Sequence, residues 1–135
     1  MTYLLDVNAL LALGIAEHEF HDRVRVWIRQ LDFPRLATCS ITELGFVRIL
    51  AQAPAYGFSV SQARVVLYRL KSNYISGFDF VIDDQDISHF PSWVKTPKQT
   101  TDGHLISLAT ARGSQLATLH NRIPGAYLIP EKTRR

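Results

Sequence analysis

Cys39 is the only cysteine in this 135-residue chain, so no intramolecular disulfide can form and a reducing compartment is the easier fit. No apolar run is long enough to cross a bilayer. The N-terminus has no basic leader, and Asp6 and Asn8 interrupt its apolar stretch, which argues against a signal peptide. Proline and glycine are too sparse to suggest disorder, and neither repeats nor low-complexity segments occur. A Gly-rich phosphate loop is missing, and no serine sits in a G-x-S-x-G elbow. A cytoplasmic protein with no membrane partner is expected. The formal net charge of +3 suits a polyanionic partner without establishing one.

What is present reads as alternating strands and helices. Short apolar runs at 2–5, 35–38, 78–82, 116–119 and 126–129 predict strands. Helical spacing predicts helices over 7–13, 18–31, 40–53, 59–71 and 102–112. Asp6 is placed to cap the first, Pro34 and Pro54 to stop the second and third, and Gly113 to close the last. The stretch 88–101, with Pro91 and Pro97, is expected to be partly loop. This alternation predicts an α/β fold, a three-layer α/β/α arrangement around a short parallel sheet of about five strands. Residues 1–130 are expected to form one domain, and 131–135 a flexible basic tail.

Three acids set far apart stand out: Asp6, Glu43 and Asp102. In a parallel α/β sheet, residues just past strand ends gather along one crevice. Carboxylates brought together there repel one another unless a cation holds them. Oxygen-only ligands suit Mg²⁺ or Mn²⁺ rather than zinc, and Asn8 adds a neutral oxygen. Each acid also has an ordinary account. Asp6 serves as an N-cap. Ser40-Ile41-Thr42-Glu43 matches a capping box, with Glu43 bonding back to the Ser40 N–H. Asp102 caps its helix, or lies at the positive end of its dipole behind a Thr101 cap.

Other groups offer weaker sites. His18 and His21 share a helical spacing but have no zinc-like partners, so a surface position is expected. Asp83, Asp84 and Asp86 resemble a calcium loop only loosely, and a solvated turn is expected.

The segments Leu4-Leu5-Asp6-Val7-Asn8-Ala9-Leu10, Ser40-Ile41-Thr42-Glu43, Thr101-Asp102-Gly103-His104-Leu105 and Gly113-Ser114-Gln115-Leu116-Ala117-Thr118-Leu119 together resemble the PIN-domain proteins. The likeness is greatest to the VapC toxins of bacterial type II toxin–antitoxin pairs, in order, spacing and chain length. That resemblance implies a PIN-like fold and a Mg²⁺- or Mn²⁺-dependent endoribonuclease. It implies that Asp6, Glu43 and Asp102 are the catalytic carboxylates that hold the metal. The family commonly has a fourth acid after the strand at 116–119, where this chain has His120 and then Asn121. His120, Asn121 and Asn8 are accordingly candidates for contacts to metal-held water. Loss of the fourth acid weakens a second cation and leaves open a catalytically weak module that binds RNA or a protein without cutting. An unrelated phosphate-ester hydrolase with Asp6 as nucleophile is a third reading.

The resemblance also implies a homodimer and a hetero-oligomer with a cognate antitoxin whose C-terminal segment reaches the crevice. Phe46, Ile49, Leu50, Tyr56 and Phe58 are candidates to line that groove, with core packing as the alternative. Arg48 and Arg122 are candidates to grip phosphates of an RNA substrate, and Thr118 to contact the crevice.

Overall fold

The computed structural model describes residues 1–131, and it has every expected strand. Strands β1 (Thr2–Leu5), β2 (Arg35–Cys39), β3 (Phe78–Val81), β4 (Gln115–Thr118) and β5 (Tyr127–Leu128) form one sheet. Its order is β3-β2-β1-β4-β5, and all four pairings are parallel. The helices are α1 (Val7–Gly14), α2 (His21–Gln30), α3 (Ser40–Gln52), α4 (Val60–Asn73) and α5 (Thr100–Ala111). The tail expected at 131–135 lies, beyond Glu131, outside the described residues. Among the described residues, no helix is long and apolar enough to cross a membrane.

Alternation along each strand divides the core into two. Leu5, Leu36 and Ala117 point into the cluster built with α1 to α4, around Leu10, Trp27, Phe46 and Leu50. Their neighbours Leu4, Ala37 and Leu116 point the other way, onto Leu105, Leu108 and Ala109 of α5. The result is the three-layer arrangement expected of strands that are apolar on both faces. Cys39 is fully buried in this second cluster.

Two helix starts follow the sequence closely. The Asp6 carboxylate accepts the Ala9 N–H at 2.9 Å, capping α1. Ser59 and Gln62 form a reciprocal box at α4, with bonds of 3.1 and 2.8 Å. Such caps are worth about 1 kcal/mol each. Close approach of α1 and α3 depends on Gly45, where an added Cβ would fall 2.6 Å from Cγ2 of Val7.

Elsewhere the boundaries move. Helix α2 starts at His21 rather than His18, because the His18 ring nitrogen accepts the Phe20 N–H at 3.0 Å and holds a turn. His21 instead meets the Ala12 carbonyl at 2.7 Å. The helix ends at Gln30, before Pro34 acts. Asp32 and Phe33 take left-handed φ angles of 55° and 56°, and the Phe33 N–H bonds to the Ile28 carbonyl at 2.9 Å. Helix α5 starts at Thr100, fed by a short 3₁₀ turn, Pro97–Gln99. The Gln99 Oε1 accepts from Lys95 and Thr96 N–H at 2.7 and 3.1 Å, which ties that turn down.

Candidate active site

The chain runs β1-β2-β3 to one side of the sheet and β4-β5 to the other, so strand order reverses between β1 and β4. Ligand crevices in such sheets open at that reversal, beyond the carboxyl ends of the strands. Register pairs Leu5 with Ala117, and the Asp6 N–H donates to the Ala117 carbonyl at 3.1 Å. Asp6 therefore sits beside Thr118.

Asp6 is 5% exposed, an unusual position for a carboxylate. Burial is the main cause of a pKa above the ordinary carboxylate value, and the charge of Asp102 adds to it. Hydrogen bonds from Thr118 and from the Ala9 N–H, with the charge of His120, oppose that rise without cancelling it. Thr118 is buried, and its hydroxyl also accepts the His120 N–H at 3.3 Å. Its place beside Asp6 was expected only as a strand-end position near the crevice.

Asp102 lies in the first turn of α5 but does not cap it, since the cap position is Gln99. Its pKa is also raised, by burial against the partial relief that His120 provides. Asp6, Asp102 and His120 thus form one electrostatic unit. Asp102, His120 and Asn121 line a groove of about 820 Å³ together with Arg23, Trp93, Lys98 and Arg122. Asn8 is exposed on the first turn of α1, and Arg48 is exposed on α3.

Glu43 departs from the expected trio. The capping box of α3 uses Cys39 and Thr42, whose hydroxyl accepts the Cys39 N–H at 3.0 Å. Glu43 is thereby released from bonding to Ser40. Its Oε2 accepts the Thr38 hydroxyl at 2.6 Å and the Lys71 ammonium at 2.5 Å. It lines a second groove of about 600 Å³ between α3 and α4, with Leu44, Tyr68, Lys71 and Phe80. Among the described residues, no three His, Cys, Asp or Glu side chains come together in a group that holds a metal ion. Lys71 pairs with Glu43 from α4. No local signal reveals that pairing, since the two residues are 28 positions apart.

The Asp6–Asp102 pair itself fits a hard divalent cation. Both donors are carboxylate oxygens, and both resist ionisation through burial. Glu43, as arranged here, is held by Lys71 instead.

Two other expectations change. The acidic cluster is not merely a solvated turn. Asp83 pairs with His104 of α5 at 2.5 Å, with both side chains largely buried, and Asp84 pairs with Arg112 at 2.9 Å. Burial pushes the Asp83 carboxyl up, but the bonds from His104 and the Gln85 N–H carry it below its ordinary value. Phe46 and Leu50 are fully buried and belong to the core instead of a groove wall. Ile49, Tyr56 and Phe58 pack half-buried against the same core.

Comparison with known proteins bears on the family and the fold. The PIN domain family model matches residues 3–126. Ribonuclease VapC44 of Mycobacterium tuberculosis is 34% identical over 137 residues, covering 93% of this chain and 94% of that protein. Ribonuclease VapC38 of the same organism is 36% identical over 118 residues, covering 85% and 82%. The crystal structure of M. tuberculosis VapC20, described as a sarcin–ricin loop cleaving toxin, superposes with a TM-score of 0.63 at 12% identity. That match covers 96% of this chain and 99% of the other, and speaks for the fold alone. With the parallel sheet, the strand-end acids and these matches taken together, the chain belongs to the PIN-domain family, among the VapC proteins.

Proposed function

We propose that this protein is the toxin of a toxin–antitoxin pair, an endoribonuclease that hydrolyses RNA phosphodiester bonds with a divalent cation, Mg²⁺ or Mn²⁺. The observation that carries this is a buried Asp6 coupled to Asp102 at the sheet's reversal point, beside a groove with three basic side chains. The ribonuclease names of the VapC relatives support the same assignment. Residues 1–130 act as one unit in this scheme. The partners are RNA, a cognate antitoxin and a second copy of the chain.

Asp6 and Asp102 would hold the cation, which supplies charge to offset that building on the phosphoryl and leaving oxygens. Thr118 and the Ala9 N–H fix the Asp6 carboxylate, so its orientation is set before substrate arrives. His120, in place of a fourth acid, lowers the negative charge of the site and favours one cation over two. Lys98 and Arg122 face the groove where a phosphate backbone would pass.

Glu43 is the third carboxylate of this scheme, and Lys71 competes with the cation for it. Lys71→Met should therefore tighten Mn²⁺ binding by about two- to fivefold, the range that a partly exposed ion pair of up to about 1 kcal/mol allows. Isothermal calorimetry with Mn²⁺ alone checks this. Unchanged or weaker binding would place Glu43 outside the metal shell.

The function is tested by incubating the protein with total cellular RNA and Mg²⁺ or Mn²⁺, with EDTA as control. Metal-dependent fragments that EDTA abolishes are expected. The engagement of Glu43 by Lys71, with His120 at the fourth corner, favours a second reading, a catalytically weak module. RNA that is bound but left intact under both metals would select that alternative.

A further inference from the structure

Among the described residues, the groove beside Asp102 contains one indole ring, and its surroundings are built to hold it. Trp93 is half-buried, packs against the α5-side core and lines the groove with Lys98, His120 and Arg122. Its loop is seated tightly on α5. An added Cβ at Gly103 would fall 2.3 Å from Cγ2 of Val94, so only glycine lets residue 94 approach the helix this closely. The Val94 N–H bonds to the Pro91 carbonyl at 3.1 Å, and Gln99 ties the far side of the loop through Lys95 and Thr96. The ring is thus positioned without help from a ligand. The basic side chains around it differ in availability. Arg23 is committed to the Ile129 carbonyl at 2.5 Å and lies over the Phe20 ring. Lys98 and Arg122 belong to the groove wall itself.

A half-buried aromatic that shares a groove with basic side chains suits single-stranded nucleic acid binding. Bases stack on the ring while the backbone tracks the positive charge. A double helix keeps its bases stacked on each other and offers no face to such a ring. Resting on the ribonuclease function above, we propose that Trp93 is a substrate-binding residue that stacks one base of single-stranded RNA next to the Asp102 end of the groove, with Lys98 and Arg122 contacting the flanking phosphates. The protein then selects unpaired RNA by geometry at this position, whatever sequence surrounds it.

The test uses fluorescence anisotropy with a labelled RNA decamer lacking secondary structure, in an Asp6→Asn background and with EDTA, so that cleavage is suppressed. Added Trp93→Leu should weaken binding about tenfold or more, the scale of a lost stacking contact. The slope of log affinity against log salt should stay unchanged, because no phosphate contact is removed. Trp93→Phe keeps a ring and should stay within about threefold of the parent. Lys98→Ala should flatten the salt slope by about one unit. Inorganic polyphosphate, a polyanion without bases, should bind parent and Trp93→Leu alike. Melting temperatures of all variants are recorded so that a fold defect is recognised.

Equal affinity of Trp93→Leu and parent for RNA would overturn the proposal. So would an equal loss in Trp93→Phe, an equal loss for polyphosphate, or a Trp93 dependence seen only with an amphipathic antitoxin peptide. These results leave cleavage by the wild type intact and so spare the function. Absence of both RNA binding and RNA cleavage would instead remove the function, and the stacking site with it.

Discussion

Asp6→Asn is expected to lower the rate of metal-dependent RNA cleavage by about a thousandfold or more, equivalent to about 4 kcal/mol of transition-state stabilisation. The substitution removes one of the carboxylates that would hold the cation while changing almost nothing else. Asparagine caps helices as well as aspartate, so the Ala9 N–H keeps a partner and α1 keeps its start. Stability should move the opposite way from activity. A carboxyl whose pKa is raised by burial binds its proton more tightly in the fold than in the unfolded chain. Ionised Asp6 therefore penalises the metal-free fold at neutral pH. That penalty fades as pH falls through the raised pKa and is gone below the ordinary carboxylate value.

Metal-free Asp6→Asn should accordingly melt above wild type at pH 7, with the gap closing in acid. Adding Mn²⁺ at about a hundred times its dissociation constant should raise the wild type by about 2.7 kcal/mol and the variant far less. Calorimetric scans across pH, with and without Mn²⁺, separate these terms. A variant that melts lower than wild type at pH 7 would mean that Asp6 earns its burial structurally, and the metal role would lose its main physical support.

Trp27→Ala should produce the largest loss of stability. Trp27 is 1% exposed, packs edge-on to Tyr3 with ring centroids 5.1 Å apart, and donates its indole N–H to the Tyr127 hydroxyl at 3.0 Å. Strand β5 has only two residues, so this ring cluster does much of the work of fastening it to the sheet. Truncation leaves a large cavity and deprives the Tyr127 hydroxyl of its donor. Together these cost about 3–5 kcal/mol, or a drop in Tm of more than about 10 °C for a chain of this size. Trp27→Phe, which keeps a ring but loses the N–H, should fall between. Circular dichroism melts measure both. A shift under about 2 °C for the alanine variant would show that β5 is not part of the cooperative core.

Much of the fold was legible because its strands are buried on both faces, which makes them short continuous apolar runs such as 2–5 and 116–119. Local hydrogen-bond chemistry was legible too, in Asp6 before α1. Boundaries failed where a side chain took over a backbone bond, as His18 does ahead of α2. The candidate site was legible only in part. That Asp6 and Asp102 come near one another follows from strand ends and helix starts, which are local features. The pairing of Glu43 with Lys71 and of Asp83 with His104 depends on which elements pack side by side, and single residues carry no mark of that. Phe46 and Leu50 show the converse error. Their apolar character suits a groove and a core equally, and only packing decides between them.

Cys39 has a practical consequence that follows from its isolation. Its sulfur is fully buried where β2 passes into α3, four residues before Glu43, and no second thiol competes for a reagent. A thiol-specific label can reach it only when that junction opens. The labelling rate of the folded protein thus acts as a clock for local unfolding at one wall of the Glu43 groove, read without any engineered probe. Antitoxin or metal that seals the junction should slow the clock, and a ligand held solely in the groove beside Trp93 should leave it running at its own pace.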